Sequence, residues 1–166
     1  MLRFLSLIIC LSSLYGYSQE SKTYLSFEGG GTGIVASANI AKTVFTHERF
    51  KIILQGGLGW IPKLAQSSWP FNLPIQATAN FGKHMFFIEA GAGSTFIFKS
   101  KIENPITGMQ KSELYLSPIV GFRYESEKWF GRLYIGPLFN VTGPHLYDDV
   151  TSDFINFGIA VGTRLN

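Results

Sequence analysis

The sequence predicts an all-β fold: an eight-stranded antiparallel up-and-down transmembrane β-barrel, preceded by a signal peptide. Three observations lead there. Eight runs alternate with a period of two, setting a bulky apolar row against small, polar or charged residues. The connections between runs alternate between short and charged and longer and polar. Aromatic residues gather near both ends of the runs, where amphipathic rings would meet two water interfaces.

The chain of 166 residues is one domain's worth, and its 18 glycines and 15 phenylalanines against 15% charged residues favour strands over surface helices. The net charge of +3 is scattered, with no basic block or stripe, so a nucleic-acid partner has no electrostatic footprint. Arg3 followed by the apolar run Phe4 to Leu14 and the small residues Gly16 and Ser18 has the layout of a signal peptide. Residues 1–18 are therefore expected to be removed, leaving 19–166 as the barrel. The apolar run is shorter than the roughly 20 residues a spanning helix needs. Cys10, the only cysteine, falls in the removed segment, and Ile9 stands before it where a lipoprotein signal has a small residue. An exported chain without disulfides must draw stability from elsewhere, and a closed hydrogen-bonded barrel supplies it.

The first run, Thr23 to Gly30, has Leu25 and Phe27 opposite Tyr24, Ser26 and Glu28; Gly29, Gly30, Gly31 and Gly33 then turn the chain. The second, Ile34 to about Val44, is the least amphipathic and ends in the charged turn Thr46 to Arg49. In the third, Phe50 to Ile61, the residues Phe50, Ile52, Leu54, Leu58 and Trp60 oppose Lys51, Gln55, Gly57 and Gly59. The fourth, Phe71 to Phe81, contains Pro74, which cannot donate to a ladder and predicts a bulge. After the turn Gly82 to His84, the fifth sets Phe86, Ile88, Phe96 and Phe98 against Glu89, Gly91, Gly93 and Thr95. A long polar connection, Lys99 to Ser112, leads to the sixth, Glu113 to Glu125, which carries Arg123 on its polar side. The turn Ser126 to Lys128 opens the seventh, where Trp129, Leu133, Ile135, Phe139 and Val141 oppose Arg132, Tyr134, Gly136 and Asn140. The polar, acidic stretch Gly143 to Asp153 precedes the last run, Phe154 to Asn166, where Ile155, Phe157, Ile159 and Val161 oppose Asn156, Gly158, Ala160, Gly162 and Arg164.

Over Thr23 to Asn166 this pattern resembles the small eight-stranded outer-membrane β-barrels of Gram-negative bacteria, the OmpA and OmpX type. The last run is similar to the signal read by barrel-assembly machinery, although it ends on Leu165 and Asn166 where such strands usually finish on an aromatic. The resemblance implies an outer-membrane location, outer-membrane lipid and lipopolysaccharide as surroundings, assembly machinery as a transient partner, and a monomer. It implies no cofactor.

Glu28, Lys51, Glu89, Arg123, Arg132 and Arg164 fall on the polar faces and are expected to form a lumen network of ion pairs, because an eight-stranded barrel is just wide enough for side chains to fill it. A proton or ion path through them is the functional alternative. His145, with Asp148 and Asp149, is the candidate site on an outer connection, since a lipid-modifying barrel enzyme would need a histidine and an acid at that rim. Leu146 and Tyr147 stand where a deacylase-type histidine would have its serine two residues on. Asp148, Asp149 and Asp153 lack the alternating spacing of a calcium loop, no Cys or His group has zinc spacing, and GGGTG joins strands rather than opening a phosphate-binding helix. Lys99, Lys101 and Lys111 could meet lipopolysaccharide phosphates. The leading expectation is a structural, adhesive or surface-binding barrel working through its outer connections. A soluble lipocalin-like carrier is the second reading, which needs Leu133, Ile135, Phe157 and Ile159 inside; an outer-leaflet lipid enzyme is the third.

Overall fold

The structure, a computed structural model, describes residues 21–60, 71–97, 113–142 and 153–165. Its strands are β1 (Thr23–Gly30), β2 (Ala36–His47), β3 (Phe50–Trp60), β4 (Phe71–Lys83), β5 (Phe86–Ile97), β6 (Glu113–Glu125), β7 (Trp129–Thr142) and β8 (Asp153–Leu165). Each pairs antiparallel with the next, and β1 closes on β8 from Thr23 opposite Leu165 to Gly30 opposite Gly158. Closure leaves no edge strand, so every wall strand has a partner on both sides.

Alternation sorts the side chains. Phe27, Phe86, Phe122 and Phe157 point outward, each about 70% exposed, while Ser26, Glu28, Gln76, Glu89 and Arg132 point inward and are buried. Leu133, Phe157 and Ile159 belong to the outer belt, the reverse of what a carrier of an apolar ligand needs. A belt of this kind is unstable in water and stable in lipid.

The short connections hold one end together. Glu48 and His84 adopt φ of 43° and 60° in the two tight turns that contain them. The turns also bond sideways, Gly82 N–H to Arg49 O and Arg164 N–H to Lys128 O, each at 2.8 Å. Rings gather just above them: Phe50 lies 5.9 Å from Phe45 and 4.8 Å from Phe81, and Tyr124 lies 5.2 Å from Phe86 and 5.1 Å from Trp129, centroid to centroid. Trp60, Phe71 and Phe139 stand exposed towards the other end.

Three features differ from the sequence-based expectation. The second strand begins at Ala36, because the chain from Gly31 to Gly33 makes a 3₁₀ turn first, and it runs on to His47. Pro74 produces no bulge: Gly56 opposite Ile75 and Gly59 opposite Asn72 keep one register, and the pairing merely lapses between them. The register shifts lie instead between Thr43 and Phe45 and between Leu114 and Tyr115. The ladder also lapses where Pro118 of β6 stands opposite Pro137 of β7, between the pairs Leu116–Phe139 and Val120–Ile135. The expected signal segment 1–18 lies outside the described residues.

A cation on the outer belt should be costly. Leu133→Lys, opposite Ile159, should lower stability in lipid vesicles by about 2–4 kcal/mol, read as a lower urea midpoint. An unchanged midpoint would put Leu133 off the lipid face.

Candidate functional site

The lumen is the candidate site, and alternation on eight strands builds it. Glu28, Lys51, Glu89, Arg123 and Arg132 are buried there, whereas Arg164 is half-buried near the end of β8. The buried charges separate into two clusters. In the middle, Arg132 reaches Glu89 Oε1 through Nη2 at 2.5 Å and Nε at 2.8 Å, and Glu28 Oε2 through Nη1 at 3.6 Å. Gln55 joins both sides, accepting from Arg132 Nη1 at 3.2 Å and donating to Glu28 Oε2 at 3.3 Å. Nearer the short turns, Glu125 Oε2 meets Lys51 Nζ at 2.6 Å and its Oε1 meets Arg123 Nε at 2.5 Å. Arg123 also lies over Phe130, with its guanidinium carbon 3.9 Å from the ring centroid, and Tyr24 packs edge-on against Phe130 at 5.3 Å. The middle cluster holds two carboxylates against one cation, the lower cluster two cations against one carboxylate. Charges excluded from water need such partners, since stranding one costs several kcal/mol.

Above the middle cluster the first connection folds into the barrel. Gly31, Thr32 and Gly33 are buried, with their backbone held by lumen side chains: Asn72 Nδ2 donates to Gly33 O at 3.1 Å, Asn156 Nδ2 donates to Gly31 O at 2.5 Å, and Thr95 Oγ1 donates to Thr32 O. Gln76 Nε2 donates to Thr32 Oγ1. Tyr134 links this plug to the charges below, its hydroxyl donating to Glu28 Oε1 at 2.7 Å while accepting from Thr32 N–H at 2.8 Å and Gln76 Nε2 at 3.2 Å. The inward turn demands special backbone: Gly30 and Gly31 take φ of 69° and 61°, and Ile34 leaves it at φ 67°, a conformation a β-branched residue seldom adopts. A Cβ on Gly31 would collide with the Tyr134 hydroxyl. Further out, Ile97, Tyr115 and Leu138 pack with Ile34, and Glu113 accepts the Tyr115 hydroxyl at 3.2 Å.

The glycines of β8 now have a role. Gly158 leaves room for the Tyr134 ring and Gly162 for Phe130, each of which a Cβ would strike. The row of small residues in the last strand thus marks where β7 lays its inward aromatics.

Sequence reasoning missed Glu125, Tyr134, Gln55 and the Gly31–Gly33 plug. Glu125 shares the face of Arg123 two residues earlier, which was the available signal. The other candidate, His145 with Asp148 and Asp149, lies outside the described residues, as do Lys99, Lys101 and Lys111. Among the described residues no group of three or more His, Cys, Asp or Glu is arranged to hold a metal ion.

The N-terminal β-barrel domain of Pseudomonas aeruginosa OprF superimposes with a TM-score of 0.51, covering 87% of this chain and 96% of that one, at 11% identity. The two share a fold, a closed β-barrel. No family model and no curated protein matches the sequence. Within this barrel, the lumen is plugged at one end by backbone and filled in the middle by ion pairs, an arrangement suited to rigidity rather than to passing solutes.

Two substitutions test it. Arg132→Met should cost about 3–5 kcal/mol by stranding buried carboxylate charge, measured by urea unfolding in detergent, and adding Glu89→Gln should recover part of the loss. Gly31→Ala should destabilise by about 1–3 kcal/mol, since the left-handed backbone would be strained and the plug displaced; equal stability to the parent would mean that the plug is not seated against Tyr134.

Proposed function

We propose that the protein resides in the bacterial outer membrane as a monomeric barrel with a structural, adhesive or surface-binding role exercised through its longer connections. The observation that carries this reading is the lumen itself: a closed wall with an apolar exterior encloses an interior occupied by the Gly31–Gly33 plug and the Arg132 and Glu125 ion pairs. A barrel filled in this way has no room for general diffusion, so its variable chemistry is left to the connections beyond the wall.

The short turns would face the periplasm together with both ends of the barrel chain, and the connections 61–70, 98–112 and 143–152 would face outward. Lys99, Lys101 and Lys111 then lie on the side where lipopolysaccharide phosphates are, and β8 is the strand offered to the assembly machinery. Catalysis and cofactors form no part of this reading.

Membrane fractionation and a gel test the location. The protein should pellet with outer membranes and migrate differently before and after boiling in detergent; a soluble protein of constant mobility would defeat the proposal. Replacing 98–112 and 143–152 by short Gly-Ser turns should leave the heat-dependent mobility intact while abolishing surface binding or adhesion of expressing cells. Adhesion that survives both replacements would remove 98–112 and 143–152 from the account.

A further inference from the structure

The mouth at the short-turn end is basic and contains a cavity. Around its rim stand Lys22, Arg49, Lys83, Lys128 and Arg164, against Glu48 and Glu127 as the carboxylates of the turns. Inside the rim is a cavity of about 350 Å³, whose charged and titratable lining is Lys22, Glu48, Arg49, Lys51, His84 and Glu125. Ligand sites run from about 300 to 1,000 Å³, so this one suits a small head group.

The cluster behind the floor of the cavity, where Arg123 is buried beneath the Lys51–Glu125 pair, has a charge excess that the barrel does not cancel locally. Glu125 is engaged by Lys51, by Arg123 and by the Tyr24 hydroxyl at 3.4 Å, so its negative charge is shared between two cations. Lys51 is 7% exposed, and its ammonium lies 3.6 Å above the Phe87 ring, which stabilises the cation and offers no anion. The balancing carboxylate of the lumen belongs to the middle cluster with Arg132. A group that enters this mouth therefore meets the net positive field of the cluster behind the floor and of the rim, and Lys51 and Lys22 have the several N–H donors that oxyanions accept.

We propose that this mouth binds a phosphate group, presented by an anionic phospholipid at the membrane surface or by a soluble phosphate. The site lies at the opposite end of the barrel from the longer connections and does not depend on the role assigned to them. The rim sits just beyond the Phe45, Phe50 and Phe81 rings, at the level where head groups meet a barrel. Several basic residues at such a level add their attractions to anionic lipid.

The test uses the mature barrel refolded in a phosphate-free non-ionic detergent. The ³¹P line of inorganic phosphate should broaden saturably on adding the protein and return to its free width with Lys22→Gln/Arg49→Gln. In a second arm, protein taken from vesicles of phosphatidylglycerol and phosphatidylcholine should retain phosphatidylglycerol preferentially, and the double variant should lose that preference. Lipid preference assigns the head group as the source, and broadening without lipid preference assigns a soluble phosphate. Absence of both effects in the parent, or their persistence in the variant, overturns the proposal. Heat-dependent gel mobility checks that the variant is folded, with Arg49→Gln alone, on an exposed turn, as the milder version.

Discussion

A backbone N–H or C=O in hydrocarbon has no water to bond, and the closed ladder is the answer to that constraint. The pairing of β1 with β8 removes the last edge. Once closed with eight strands, the wall fixes a lumen so narrow that its side chains must fill it and satisfy one another. The two ion clusters, the plug and the small residues of β8 are consequences of that narrowness. Gly158 and Gly162 are small because Tyr134 and Phe130 already occupy the space before them.

Tyr134 occupies the point where this filling becomes a single unit. Its hydroxyl touches Glu28 on one side and the backbone of Thr32 on the other, while the Arg132 guanidinium lies 4.2 Å from its ring centroid. Charge, plug and wall are thereby coupled through one residue whose ring needs glycine at 158. In a low-dielectric interior such a network gains from being complete, since each bond polarises the next and each orphan is expensive. The net positive lower cluster and net negative middle cluster offset one another across the lumen, so the interior as a whole is close to neutral.

The wall was legible in the sequence because lipid and lumen demand opposite side chains, and alternation records that demand at every second residue. Leu133 and Arg132 could be assigned to faces for this reason alone. Register was not legible, so the division of the charges into an Arg132 group and a Glu125 group could not be read from alternation. The Gly31–Gly33 turn was hidden for another reason: a glycine-rich connection has no periodicity to say whether it folds outward or inward. Its trace lies on other strands, where Asn72, Gln76, Thr95 and Asn156 face the lumen as amides and a hydroxyl with no charge among them. Asn72, Thr95 and Asn156 are backbone partners waiting for a backbone, and Gln76 meets the Thr32 hydroxyl. Pro74 misled because its missing donor interrupts pairing without inserting a residue, and only an insertion changes register.

The same ladder constraint makes the junction of Pro118 with Pro137 the least supported place in the wall. Neither residue has an N–H, and pairing lapses around both, while Pro118 keeps its pairing with Ala92 and Pro137 with Ile155 on their other sides. The strands nonetheless remain in close approach: a Cβ on Gly136 would collide with the Pro118 carbonyl. Proximity there is maintained by packing and by the intact pairs above and below, not by hydrogen bonds across the seam. Prolines in a central strand position ordinarily argue against a strand. Set opposite each other, two prolines remove donors from both sides at one place, so the interruption is local and the register on either side is the same. The chain thus tolerates a gap in the one interaction on which it most depends because closure distributes the restraint around the whole barrel.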